Sequence, residues 1–267
     1  MNKAEQALRE LHEMDALAAG ESPVHALCPL AKFFTTIAYI LVVVSFGKYD
    51  LAGLAPMALW PVLLFEVGGI PVRACFYKLR FVLPLVLAVG LFNPVFDRAP
   101  YLTLGGVTVS GGVVSMAALM CKGAFCLMAS FLLMATTRID ALCAALRRIH
   151  VPGMILTLLL LTYRYVGVMT EEVAVMTDAY RLRAPGQKGV RYTAWGSFLG
   201  QLLLRSMDRA EELYSSMLLR GFHDHFHYAE AAPCAAKDAV YTITCIAVFL
   251  LLRFVNVAAL LGSLFVR

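Results

Sequence analysis

The chain has 267 residues, of which 60% are hydrophobic and only 15% are charged, and its mean hydropathy is +0.74. Soluble domains contain roughly 45–50% apolar and about 25% charged residues, so this composition excludes an ordinary soluble domain and indicates a membrane protein. The formal net charge of +5 fits basic cytoplasmic loops. Because no cluster of basic and aromatic residues recurs along the chain, we expect no nucleic-acid partner.

The N-terminal segment, residues 1–29, is the first element in chain order. It carries five carboxylates before Pro23 and no apolar core. A secretory signal peptide needs an apolar centre after a basic start, so we expect no signal peptide here. The first hydrophobic segment should therefore stay in the mature protein, behind a cytoplasmic N-terminal segment.

Five apolar stretches are predicted to cross the bilayer, because each approaches the length of about 17–25 helical residues that a span requires. They cover residues 30–46, 51–68, 81–96, 112–136 and 239–264. The first four make up a membrane domain over 30–136, and the fifth lies in the C-terminal segment 239–267. The alternating "YLTLGGVTV" between the third and fourth is predicted to form a small hairpin outside.

A sixth apolar stretch, residues 153–169, has arginines on both sides. A helix with basic clusters at both ends conflicts with the positive-inside bias if it spans the membrane. We therefore predict that it lies along the inner membrane surface or is partly embedded in it, and does not cross the bilayer. With the N-terminus inside, most lysines and arginines then fall in inside segments, as expected for a multi-pass protein of the cell membrane.

The region 137–238 is predicted to be cytoplasmic and to contain two long helices, at about 153–183 and 194–220. Both helices end in arginine. Arg183 precedes Ala184 and Pro185, and proline forbids the helix to continue. Arg220 precedes Gly221, which stands where a left-handed C-terminal cap requires it.

The helix dipole alone favours a cation at a helix C-terminus by a few tenths to about 1 kcal/mol, which would account for a lone arginine. Two such ends on one platform predict a docking surface for acidic grooves, because the planar guanidinium binds carboxylates bidentately. The chain contains no G-x-x-x-x-G-K-[ST] motif. Powered transport would therefore need a separate ATPase.

Short motifs carry a family resemblance over nearly the whole chain. In order they are "MDALAAGESPVHALCPLAKFF", "LFNPVFD", "TLGGVTVSGG", "ATT", "RRIHVPG", "TYRYVGVMTEE" and "MDRAEELYSSMLLRGF". With these motifs the chain resembles the transmembrane T component (EcfT) of energy-coupling factor transporters, and most closely its cobalt-type CbiQ branch.

The resemblance implies an all-α polytopic membrane protein with about five transmembrane helices and long amphipathic coupling helices. The family closes two coupling helices with Ala-Arg-Gly motifs, which correspond here to Leu182-Arg183-Ala184 and Leu219-Arg220-Gly221. Both depart from the pattern, with Leu for Ala in each and Ala for Gly in the first. Pro185-Gly186 could supply the missing helix stop.

The same resemblance implies the partners. The two arginines would dock into two ATP-binding cassette ATPase subunits, and a membrane-embedded S component would bind the substrate, with a small accessory membrane subunit as an optional further partner. The chain itself would be non-catalytic and bind no cofactor, since ATP and Mg²⁺ are used by the ATPases. Cobalt is the favoured substrate, nickel is next, and a vitamin is third.

Alternatives from the residues remain open. His223, His225 and His227 would share one face of an extended strand and could bind a metal ion. Lys122 and Arg253 lie within apolar runs, where they could serve an ion path or a structural contact. A stand-alone secondary transporter is the second functional hypothesis, although it would predict inverted repeats.

Overall fold

The structure is a computed structural model that describes residues 3–96, 100–104, 107–187, 189–222 and 235–255. The chain divides into two compact units. The larger unit comprises the described parts of 17–138 and 232–267, and the smaller unit those of 1–16 and 139–231.

Helices form nearly all of the described structure, which confirms the predicted all-α class. The elements in chain order are α1 (Lys3–Ala18), α2 (Pro29–Ser45), α3 (Leu51–Leu54), α4 (Leu59–Gly68), α5 (Val72–Gly90), α6 (Phe92–Phe96), β1 (Pro100–Leu104), β2 (Val107–Ser110), α7 (Gly111–Thr136), α8 (Ile139–Arg148), α9 (Gly153–Arg183), α10 (Trp195–Leu219) and α11 (Ala236–Phe254).

The larger unit is built around α2 and α7, with α11 against α2 and α5 against α7. Its buried core includes Tyr39, Val43, Met57 and Phe249. Tyr39 stacks on Trp60 with ring centroids 4.6 Å apart, and its hydroxyl donates to the Met57 carbonyl at 2.9 Å. The buried phenol thus satisfies its polar atom through the backbone at the proline-rich start of α4.

By length and composition, four helical stretches of the described chain can cross a bilayer: 51–68, 72–94, 111–136 and 153–183. The apolar helix α2 is shorter, with 17 residues. The prediction that the third span begins at residue 81 missed the start of the helix, which is Val72 after Pro71. Arg73, Lys78 and Arg80 lower the hydropathy of this first part, which is why the apolar pattern placed the start too late.

Three further predicted elements can be compared with the structure. The hairpin is confirmed, because β1 pairs antiparallel with β2 and Leu102 lies opposite Val109. The helix α9 is apolar and long enough to span, so its placement along the inner surface stays a prediction that rests on the flanking arginines. The last predicted span coincides with α11 up to Phe254, and residues 256–264 lie outside the described residues.

The smaller unit contains α8, α9 and α10 together with most of α1. The helix α1 was not predicted, although its run of Ala, Glu, Leu and Arg has strong helix propensity. The Tyr163 hydroxyl of α9 donates to the Asp15 carboxylate at 2.5 Å. The N-terminal helix is thereby tied to the apolar half of α9.

Candidate functional site

The C-terminal end of α9 is an exposed tip. Leu182 is 84% exposed, and Arg183 beside it is also exposed. The helix stops because Pro185 cannot continue it, and Gly186 then turns the chain with φ of +92°. The Tyr180 hydroxyl donates to the Gln187 side chain at 3.1 Å and so fixes the segment that follows the tip.

The C-terminal end of α10 has a different stop. Gly221 adopts the left-handed conformation with φ of +79°, as the sequence predicted. Its amide donates to the Leu218 carbonyl, and the Phe222 amide donates to the Met217 carbonyl, both at 3.0 Å. This pair of bonds is the Schellman motif, which satisfies helix carbonyls that would otherwise lack a partner.

Leu219 is 90% exposed at this second tip, and Arg220 is exposed beside it. Within the described ranges, neither Arg183 nor Arg220 forms an ion pair or a side-chain hydrogen bond. Each tip therefore presents a free guanidinium next to an uncovered leucine, and arginine is one of the residue types enriched in interface hot spots. The arrangement can bind a carboxylate and bury an apolar contact in the same step.

An ion pair joins the two long helices. Glu172 of α9 and Arg205 of α10 are in direct contact, with their side chains 30% and 49% exposed. Glu172 therefore faces the other helix. No other ion pair between α9 and α10 occurs among the residues that the structure describes, so this pair is the electrostatic link between the helices that carry the two arginine tips.

We expect Glu172→Arg to destabilise the α9–α10 pair, because it puts two guanidiniums in contact, and the swap Glu172→Arg with Arg205→Glu to restore stability. A partly exposed pair contributes about 0.2–1 kcal/mol. Thermal unfolding of both single variants and the swap measures this term as a double-mutant cycle. The control is Glu171→Arg, since Glu171 is exposed beside the pair. Additive losses in the swap would contradict the contact.

The charged residues of the apolar runs reach backbone carbonyls. The Lys122 ammonium of α7 donates to the Phe46 carbonyl at 2.5 Å, and the Arg253 guanidinium of α11 donates to the Ser45 carbonyl at 3.0 Å. Both cations lie at the C-terminal end of α2, where orphan carbonyls give the helix partial negative charge. These contacts favour the structural role over an ion path.

A further cation, which is buried, was not identified from the sequence. Lys32 of α2 is 6% exposed, and its ammonium donates to the Thr136 carbonyl at 2.7 Å and to the His25 carbonyl at 3.1 Å. His25 contacts the Ala135 carbonyl through its ring at 3.2 Å. The C-terminal end of α7 is thus satisfied by two residues that precede or begin α2, a long-range pairing with no local sequence signal.

The predicted metal candidates His223, His225 and His227 lie outside the described residues. Among the residues that are described, no group of three or more His, Cys, Asp or Glu side chains could hold a metal ion. The histidine hypothesis therefore stays a prediction.

Comparison with known proteins shows what the chain is similar to. Residues 20–228 match the family described as CbiQ, cobalt transport protein. The cobalt transport protein CbiQ of Rhodobacter capsulatus is 29% identical over 214 residues, which cover 78% of this chain and 84% of the relative. The nickel permease LarQ of Lactiplantibacillus plantarum is 30% identical over 91 residues, which cover 34% of this chain and 33% of the relative.

Proposed function

Because the chain belongs to the CbiQ family of cobalt transport proteins, we propose that it is the transmembrane coupling subunit of an energy-coupling factor importer. Its membership and its apolar helices make it a membrane component of cobalt or nickel transport. In the proposed role it transmits the ATP-driven motion of two ATPase subunits to a membrane-embedded, substrate-binding S component. It works in the cell membrane with its N-terminus in the cytoplasm.

The observation that carries this proposal is the pair of arginine tips on α9 and α10. Two long helices of one unit each end in an exposed guanidinium that has no ion-pair partner among the described residues and lies beside an exposed leucine. Two ATPase subunits with acidic grooves would bind such a pair. Closure of those subunits would then move both helices, since Glu172 and Arg205 link them.

Cobalt is the proposed substrate of the complex, and nickel is the second candidate. The relative that is matched over most of its length is named for cobalt, whereas the match to a nickel permease covers a third of each chain. Both ions would be captured by the S component, so the ligands that select the metal lie on a partner.

The proposal is tested by purifying the native complex through a tag on this chain. We expect two ATPase subunits per chain, a membrane-embedded S component, and bound cobalt released by a chelator. Purification of the chain alone from a membrane in which the ATPases are expressed would contradict the coupling role. Metal-driven uptake by the isolated chain in liposomes would instead support a secondary transporter.

A further expectation concerns the histidine cluster. The triple variant His223→Ala, His225→Ala, His227→Ala should keep nearly wild-type cobalt uptake, because the proposed metal ligands belong to the S component. Uptake of radioactive cobalt by cells that express the whole complex measures this directly. Loss of uptake with the complex still assembled would revive a metal site on this chain.

A further inference from the structure

The end of α10 borders a groove of about 520 Å³. One wall is formed by Leu161, Arg164 and Tyr165 of α9, which share a helix face because they are spaced i, i+3 and i+4. The other wall comes from α10 and its cap, from Arg209 to Phe222. Arg164 belongs to the motif "TYRYVGVMTEE" and has no role in the proposed docking of the two arginine tips.

The groove is cationic. Among the described residues, three guanidiniums line it, from Arg164, Arg209 and Arg220, against the single carboxylate of Glu212. That carboxylate lies 3.6 Å from Arg209 in the same helix. Arg164 and Arg220 have no such partner within the described part of the chain. Both guanidiniums are exposed, so their positive charge is available to attract an anion into the groove.

The two arginine tips differ in this respect. Every residue that lines the groove lies in 161–165 or in 209–222, so the groove adjoins Arg220 and does not include Arg183. The second tip thus borders this cavity together with Arg164, whereas no described residue of the first tip lines it.

We propose that this groove receives an acidic segment of one ATPase subunit, with Arg164 and Arg220 each binding a carboxylate. The inference rests on the proposed function and adds that the two docking sites are not equivalent. Arg220 lines the groove and also belongs to the proposed docking tip for an ATPase. An ATPase segment is therefore favoured over a lipid headgroup as the occupant of the groove. The Tyr165 hydroxyl lines the same cavity and supplies a neutral donor, whereas the Ser216 hydroxyl already donates to the Glu212 carbonyl.

The test uses the purified complex of this chain with its co-purifying ATPase and S subunits. A photoreactive phenylalanine analogue replaces Tyr165 in one sample and Leu182 in another, and mass spectrometry identifies the crosslinked peptide. We expect the Tyr165 probe to label an acidic segment of an ATPase subunit. In a separate binding assay in nanodiscs, Arg164→Glu should weaken ATPase binding by about tenfold. The charge-reversal control Arg9→Glu should leave that binding unchanged.

Each other outcome decides against a specific claim. The Tyr165 probe could label phospholipid or label nothing while the Leu182 probe still labels an ATPase. Either result would overturn the groove proposal and keep the proposed function. Labelling of ATPase by neither probe would overturn both. Equal binding by Arg164→Glu and Arg9→Glu would also overturn the role of Arg164.

Discussion

The double charge reversal Arg183→Glu with Arg220→Glu should abolish cobalt uptake while the protein still inserts into the membrane. Both side chains are exposed at helix ends and support no described contact of the fold. Truncating one partner of a docked charge pair costs about 2–5 kcal/mol of binding. Since about 1.4 kcal/mol corresponds to a tenfold change in affinity, each reversal should weaken docking by well over tenfold.

The measurement combines ATPase co-purification with uptake in cells, and both are normalised to the amount of this chain in the membrane. Arg9→Glu is the matched control, because Arg9 is an exposed arginine on α1 of the same unit. Arg183→Lys with Arg220→Lys separates charge from the planar fork of the guanidinium and should have an intermediate effect. Normal uptake and ATPase recovery in the double reversal would refute the docking role of the two tips.

Local patterns sufficed for much of the fold. The stripe of apolar residues and the stops at Pro185 and Gly221 placed α9 and α10 close to their observed bounds. Turn residues placed the hairpin. The start of α5 was missed because hydropathy identifies segments that partition into lipid. Arg73, Lys78 and Arg80 belong to the helix but are charged, so they do not contribute to that signal.

The candidate site was predictable in part for the same reason. Arg183 and Arg220 are visible in the sequence because each stands next to a residue that ends a helix. Glu172 and Arg205 meet only when α9 and α10 pack together, and Arg164 and Arg220 border one groove for the same reason. Such pairings depend on how the two helices pack against each other, and a local sequence pattern does not determine that packing.

The partners of two lysines in the antiparallel pair α2 and α7 were likewise not predictable from local sequence. Lys32, at the start of α2, reaches the end of α7, and Lys122 of α7 reaches the end of α2. The helix α2 has 17 residues and α7 has 26. A lysine near the middle of the longer helix is therefore level with the end of the shorter one, where carbonyls lack partners.

Lys32→Met should be strongly destabilising, because it leaves a buried carbonyl of α7 without a donor. A hydrogen bond to a charged group contributes about 1.5–3 kcal/mol, and the unsatisfied buried group adds a penalty of similar size. Thermal unfolding in detergent should show a lower midpoint and less folded protein in the membrane. Lys237→Met is the control, since Lys237 is exposed on α11 and should change little.

Lys122→Met should have a smaller effect than Lys32→Met, because Arg253 also donates at the same end of α2. Removing both, as Lys122→Met with Arg253→Met, should lower stability by more than the sum of the single changes, since each can partly replace the other. Uptake per folded molecule should stay near wild type in Lys122→Met. Loss of transport in a stable Lys122→Met protein would instead show that this lysine serves an ion path.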